Sequence, residues 1–158
     1  MFHFTNIPTS FFFCSGSAEA VSPLNAFDAA LLAAGIGNTN LVKISSIVPP
    51  GCEETTVPEV LQAGLFLPTA WKSFNSSNKG EEIAAAVAIA IPQDRSLAGV
   101  IMEEAGPGSA RQKEQFVRTQ VEVAMQIRAI TLYDIRSISI SHQVVSCGTV
   151  FAAVVLQP

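Results

Sequence analysis

Residues 43–50 read KISSIVPP, and the Ser45–Ser46 pair within them is the feature of this sequence best suited to covalent chemistry. A serine hydroxyl beside the carbonyl of the preceding residue puts a nucleophile and an electrophile in one dipeptide. Attack of the Ser46 hydroxyl on the Ser45 carbonyl would exchange the peptide bond for an ester. An adjacent serine pair is ordinarily two inert strand hydroxyls, one on each face. The placement of this pair sets it apart. It lies near the end of an apolar strand, just before the rigid Pro49, Pro50 and Gly51, with Ile44 and Ile47 on either side to keep water out.

Other chemistries find little support. His3 and His142 are far apart, with no cysteine or carboxylate cluster at ligand spacing, so no metal site is expected. His142 reads as a packed or surface histidine of an alternating strand. Cys14, Cys52 and Cys147 are odd in number and widely spaced; they read as small core or loop residues rather than a disulfide framework, and favour the cytoplasm. Gly35 and Gly37 lack the third glycine and helix start of a dinucleotide fingerprint. No phosphate-binding loop or nucleophile elbow occurs. Net charge is −4 with no basic block, which argues against nucleic acid. The first eight residues do not read as a signal peptide. The longest uncharged apolar run, residues 83–91, is nine residues, whereas a spanning helix needs about 20.

Several elements must position the serine pair. An aromatic run at 10–15 (Phe11, Phe12, Phe13) predicts a buried strand that leaves into a loop. Ser22 can cap a helix that begins at Pro23, carries Leu24, Phe27, Leu31 and Ala34 at helical spacing, and stops at Gly35. Asp28 falls at the edge of that apolar face. Residues 35–40 form a turn, 41–48 a single β-branched strand, and 52–62 an acidic surface loop. Strands are expected at 64–74, at 83–91 (buried on both faces) and at 97–104. Ser109 and Gln112 make a capping box for a long helix with a stripe of Phe116, Val117, Val121, Ala124, Met125 and Arg128. Strands at 134–145 and 149–156 follow. The chain reads as one domain over 1–158, with strand–helix–strand–strand in each half. Hydrophobic residues are 49% and charged residues only 14%, too little polar side chain to cover one chain's surface, so a homo-oligomer is expected.

Three stretches, SPLNAFD (22–28), AAGIGNTN (33–40) and KISSIVPP (43–50), closely resemble pyruvoyl-dependent arginine decarboxylase. AIAIP (88–92), AGVIME (98–103) and GTVFAA (148–153) match as well. The resemblance runs in order over essentially the whole chain. It implies an α+β fold, a four-layer α/β/β/α sandwich with mainly antiparallel sheets and a duplicated strand–helix–strand–strand unit. It implies a trimer or hexamer of cleaved protomers with active sites between subunits.

The resemblance also implies the chemistry. The chain is a proenzyme that cuts itself between Ser45 and Ser46, giving a β chain (1–45) and an α chain (46–158). The cofactor is a pyruvoyl group formed from Ser46, with no metal and no pyridoxal phosphate. Serine suits position 46 because its Cβ oxygen is first the nucleophile and then the leaving group; residue 45 supplies only its carbonyl. L-Arginine becomes agmatine and carbon dioxide through a Schiff base on the pyruvoyl ketone. Glu103 is the implied proton donor, which requires burial to keep its carboxyl protonated, while Glu104 points the other way. Asn40 is the implied oxyanion donor. Asp28 is the implied guanidinium partner, and Leu24, Gly37, Thr39 and Ile47 line the same pocket. Two rivals remain: the same cofactor acting on another amino acid, and an uncleaved, inactive assembly subunit.

Overall fold

A computed structural model describes residues 7–157; His3 lies outside them. The chain is α+β. Its elements are β1 (Ser10–Glu19), α1 (Pro23–Ala33), β2 (Asn40–Lys43), β3 (Ile47–Val48), β4 (Glu53–Glu54), β5 (Phe66–Ser76), β6 (Glu82–Pro92), β7 (Gly99–Pro107), α2 (Ala110–Ile127), β8 (Leu132–Gln143) and β9 (Gly148–Gln157). They form a five-stranded sheet, β2-β5-β9-β1-β4, and a four-stranded sheet, β3-β7-β6-β8. β1 with β4 and β2 with β5 run parallel; the remaining pairs are antiparallel.

The period-two pattern of β6 explains how the sheets stack. Its odd residues Ile83, Val87, Ile89 and Ile91 meet Phe11, Ala70, Val150, Val154 and Leu156 of the larger sheet. Its even residues Ala86, Ala88 and Ala90 face α2, where Val117, Val121 and Met125 close over them. Alternation across a strand sends successive side chains to opposite faces, so the alanines fit a helix lying close against the sheet. The outer face of the larger sheet does the same for α1. Phe12, Cys14, Phe151, Ala153 and Val155 pack on Ala30, Leu31 and Ala34. Burial pushes the Cys14 thiol up to about 12.

Both helices begin as the sequence implies. Ser22 accepts from the Asn25 N–H, and Ser109 forms the capping box with Gln112. Gly35 ends α1 at φ +80°, with Ile36 N–H bonded to Leu31 O and Gly35 N–H to Leu32 O. This left-handed closure favours glycine.

Several expectations need correction. Residues 41–48 are not one strand: β2 and β3 belong to different sheets. β1 does not leave into a loop at Ser15; it continues to Glu19 because β9 pairs with it as far as Glu19↔Gly148. The 52–62 segment includes the short edge strand β4. Leu97 is 40% exposed and precedes β7, which instead runs on to Pro107. Leu24 and Phe116, placed by periodicity in the helical stripes, are 77% and 50% exposed. α1 buries Ala26 and Ala30 beside the expected Leu31 and Ala34, and Gly16 of β1 lets the helix backbone approach closely at Ala30.

The turn between β8 and β9 is tied down by one carboxylate. Glu19 accepts from the N–H groups of Val145, Ser146 and Cys147 at 2.8–2.9 Å and lies 2.7 Å from His142 Nε2. The Val145 N–H foremost, with His142, Ser146 and Cys147, holds its carboxyl well below the usual carboxylate range.

Two outcomes are expected. A Cβ on Gly16 would lie 2.1 Å from Ala30 O, so Gly16→Ala should cost about 1–3 kcal/mol as overpacking. That corresponds to a drop in melting temperature of roughly 2–10 °C, with Ser15→Ala as the control. A group whose folded pKa is depressed contributes stability above its unfolded value, near 4.3 for glutamate, and loses it as pH falls toward the folded value. Glu19→Gln should therefore lower the melting temperature at pH 7, with the difference from wild type narrowing progressively below about pH 4.

Candidate active site

The chain changes sheets at the serine pair. Lys43 is the last residue of β2, in register with Thr69 of β5, and Ile44 N–H still bonds to Thr69 O at 3.2 Å. Two residues on, Ser46 O accepts from Ile101 N–H of β7 at 2.9 Å, and Ile47 is in register with Val100. Residues 44–46 thus carry the backbone from the larger sheet to the smaller one. The crossing puts Ser46 at φ +67°. For a residue with a Cβ this left-handed conformation costs about 1–3 kcal/mol, a strain held about the N–Cα bond of Ser46, next to the peptide bond that joins it to Ser45.

β7 brings the carboxylate. Ile101 faces the space between the sheets, and Glu103, two residues later, leans to the same side. The Ser46 hydroxyl donates to Glu103 Oε2 at 3.1 Å and lies 3.3 Å from Oε1. The Glu103 side chain is 16% exposed. Glu104 points the opposite way, toward α2, and pairs with Lys113 at 3.7 Å. This matches the expected separation of the two glutamates.

Two cations at the site escaped the sequence reading. Lys43 Nζ lies 3.3 Å from Glu103 Oε1. It also donates to Trp71 O and sits 4.7 Å from the centre of the Trp71 ring. Arg128, read from periodicity as one of the α2 stripe, is instead the helix C-cap; its Nη1 donates to Ala124 O. It lines a hollow of about 360 Å³ with Ser45, Ser46, Val100, Ile101, Met102 and Glu103. The only available hint of Lys43 was its place three residues before Ser46 on an otherwise apolar strand.

The other expected site residues are not drawn into this hollow. Asn40 opens β2, and its amide donates to Gly64 O at 2.9 Å rather than to Ser45 or Ser46. Gly37 and Thr39 line a separate hollow of about 290 Å³ with Leu32, Glu59 and Leu61. The Thr39 hydroxyl donates to Ile36 O at 2.6 Å. Asp28 and Leu24 stand exposed on α1. No ion pair to Asp28 occurs among the described residues. Ile47 is 40% exposed beside Val100.

In its chemistry, the hollow offers a strained serine, a carboxylate in hydrogen-bond contact with its hydroxyl, and Arg128 in its lining, with Lys43 paired to the same carboxylate. These residues fit a group made from Ser46 itself: Glu103 already touches the Cβ oxygen that such a group must lose.

Comparison with known proteins gives the family. A family model described as pyruvoyl-dependent arginine decarboxylase matches residues 10–158. A protein of that name from Methanocaldococcus jannaschii is 44% identical over 150 residues, 95% of this chain and 90% of the relative. One from Methanococcus vannielii is 41% identical over 149 residues, covering 94% and 90%. One from Pyrococcus abyssi is 37% identical over 126 residues, 79% of each. Matched by the family model over residues 10–158 and 44% identical to one member over 95% of its length, the chain belongs to the pyruvoyl-dependent arginine decarboxylase family.

Proposed function

We propose that this chain cuts itself between Ser45 and Ser46 and, as 1–45 and 46–158, decarboxylates L-arginine to agmatine. The observation that carries this reading is the contact of the Ser46 hydroxyl with Glu103 at a backbone position strained by the sheet crossing. Glu103 takes the proton as Ser46 Oγ bonds to the Ser45 carbonyl carbon. The C–N bond of that peptide then breaks, and the freed amine of residue 46 accepts the proton. The Cα proton of residue 46 next passes to water as its Cβ–Oγ bond breaks, and Ser45 departs with a C-terminal carboxylate. Water hydrolyses what remains and ammonia leaves.

The pyruvoyl group at position 46 supplies the carbonyl electrophile and electron sink for loss of carbon dioxide. Glu103, already beside that position, is the group placed to return a proton to the substrate carbon. Val100, Ile101 and Met102 limit water around it. Asp28 recognises the guanidinium, as a carboxylate with two acceptor oxygens can. Its exposure without an ion-pair partner supports the reading that it serves a site completed by a second copy of the chain, where Leu24, Gly37, Thr39 and Ile47 line the substrate pocket and Asn40 is the oxyanion donor.

The same reading makes the chain one domain and its layers α/β/β/α, supported by the three apolar clusters under α1, between the sheets and under α2. It makes the two strand–helix–strand–strand halves a duplicated unit. A trimer or hexamer is supported by exposed apolar residues such as Val21, Leu24, Val60 and Ile127. Three free cysteines support a reducing cytoplasm.

Intact mass under denaturing conditions should resolve 1–45 and 46–158, the larger fragment lacking an N-terminal amine. Borohydride with arginine should add mass to that fragment alone. Ser46→Ala should give a single uncut chain. A wild-type chain that stays whole after prolonged incubation would overturn the reading. Asp28→Asn should raise KM for arginine at least about tenfold, the order of one lost charge-assisted contact; an unchanged KM would remove Asp28 from the substrate site.

A further inference from the structure

We infer that Lys43 is a positioning residue for the self-cleavage step. It holds the Glu103 carboxylate so that one oxygen stays against the Ser46 hydroxyl. The inference rests on the self-cleavage reading and concerns the uncut chain.

Three contacts fix the Lys43 ammonium. It donates to Trp71 O, lies 4.7 Å from the centre of the Trp71 ring, and meets Glu103 Oε1 at 3.3 Å. The first two belong to the larger sheet, since Lys43 is in β2 and Trp71 in β5. The Trp71 ring is itself held by Phe27 of α1 and Phe151 of β9, with centroids 5.5 Å and 5.7 Å away. Glu103 hangs from the smaller sheet. Lys43 therefore links a fixed point on one sheet to the carboxylate on the other, at the place where the backbone crosses between them.

The division of the two carboxylate oxygens follows. Lys43 engages Oε1, and the shorter Ser46 contact, 3.1 Å, goes to Oε2. Without the ammonium, the tie of Glu103 Oε1 to the larger sheet is lost, and the carboxylate is freer to turn away from the Ser46 hydroxyl. A half-exposed ion pair adds little to stability, because water screens it and ordering the side chains costs entropy. The Lys43 side chain is 49% exposed. The pair's effect should thus appear in cleavage rather than in melting. Positive charge is what the position requires, and a cation over an aromatic face can be ammonium or guanidinium.

The test measures the first-order rate of appearance of fragment 46–158 by intact mass, with melting temperature alongside. Newly purified uncut wild type, Lys43→Met, Lys43→Gln and Lys43→Arg are compared. Lys43→Met and Lys43→Gln should cleave at least tenfold more slowly than wild type and melt within a few degrees of it. Lys43→Arg should return the rate to within about threefold. The inference is overturned if the neutral variants cleave within twofold of wild type, or if Lys43→Arg is as slow as they are. Should Lys43→Met fail to fold, Lys43→Gln decides by the same criteria, and failure of both to fold assigns Lys43 a structural role and overturns the inference. A wild type that never cleaves rejects the self-cleavage reading itself, which separates that failure from one confined to Lys43.

Discussion

The backbone has to pass from one sheet to the other within three residues, 44–46, and the rest of the site depends on that crossing. β2 is held parallel to β5 up to Ile44, and β3 is held to β7 from Ile47. Neither sheet can yield without loosening the apolar cluster between them, which is built from β1, β5, β6, β7 and β9. The intervening backbone absorbs the mismatch, and Ser46 takes a left-handed conformation that residues with a Cβ rarely adopt. Strain persists at a site only when its surroundings over-determine it; here two sheets do so.

The same crossing assembles the charges. Lys43 is the last residue on one side, and Glu103 is carried by β7 on the other. Placed only by their own strands, a lysine and a glutamate 60 residues apart would be unrelated. The sheet stacking brings them within 3.3 Å, with the Ser46 hydroxyl against the same carboxylate. The alternation of β7 then decides which glutamate takes part: Glu103 shares the side of Ile101, while Glu104 turns to Lys113 of α2.

The helices contribute by how closely they lie on the sheets. Alanines on the outer side of β6 leave room for α2, which ends with Arg128 at the hollow. Gly16 leaves room for α1, whose buried side is accordingly Ala26, Ala30 and Leu31. Leu24 and Asp28 stand exposed on the same helix. The hollow around Ser46 and the hollow around Gly37 and Thr39 are distinct within one chain.

The sequence by itself determined the elements whose cause is local. The capping box at Ser109, the Ser22–Pro23 start of α1, the Gly35 stop and the doubly buried β6 follow from residue types and short-range periodicity, and the structure has them. Its motifs also pointed to the family and singled out Ser46 and Glu103. What the tertiary structure decided was everything that depends on partners distant in sequence. β1 runs to Glu19 because β9 pairs with it, and 41–48 divides in two because its halves pair with β5 and β7. Leu24, at the start of α1, is left exposed while Phe27, Leu31 and Ala34 of the same stripe pack on the larger sheet. Lys43 becomes part of the site because Trp71 and Glu103 meet it from different sheets. Periodicity records which face of an element is apolar; it does not record which sheet that element joins, and at Ser46 the change of sheet is the cause of the geometry.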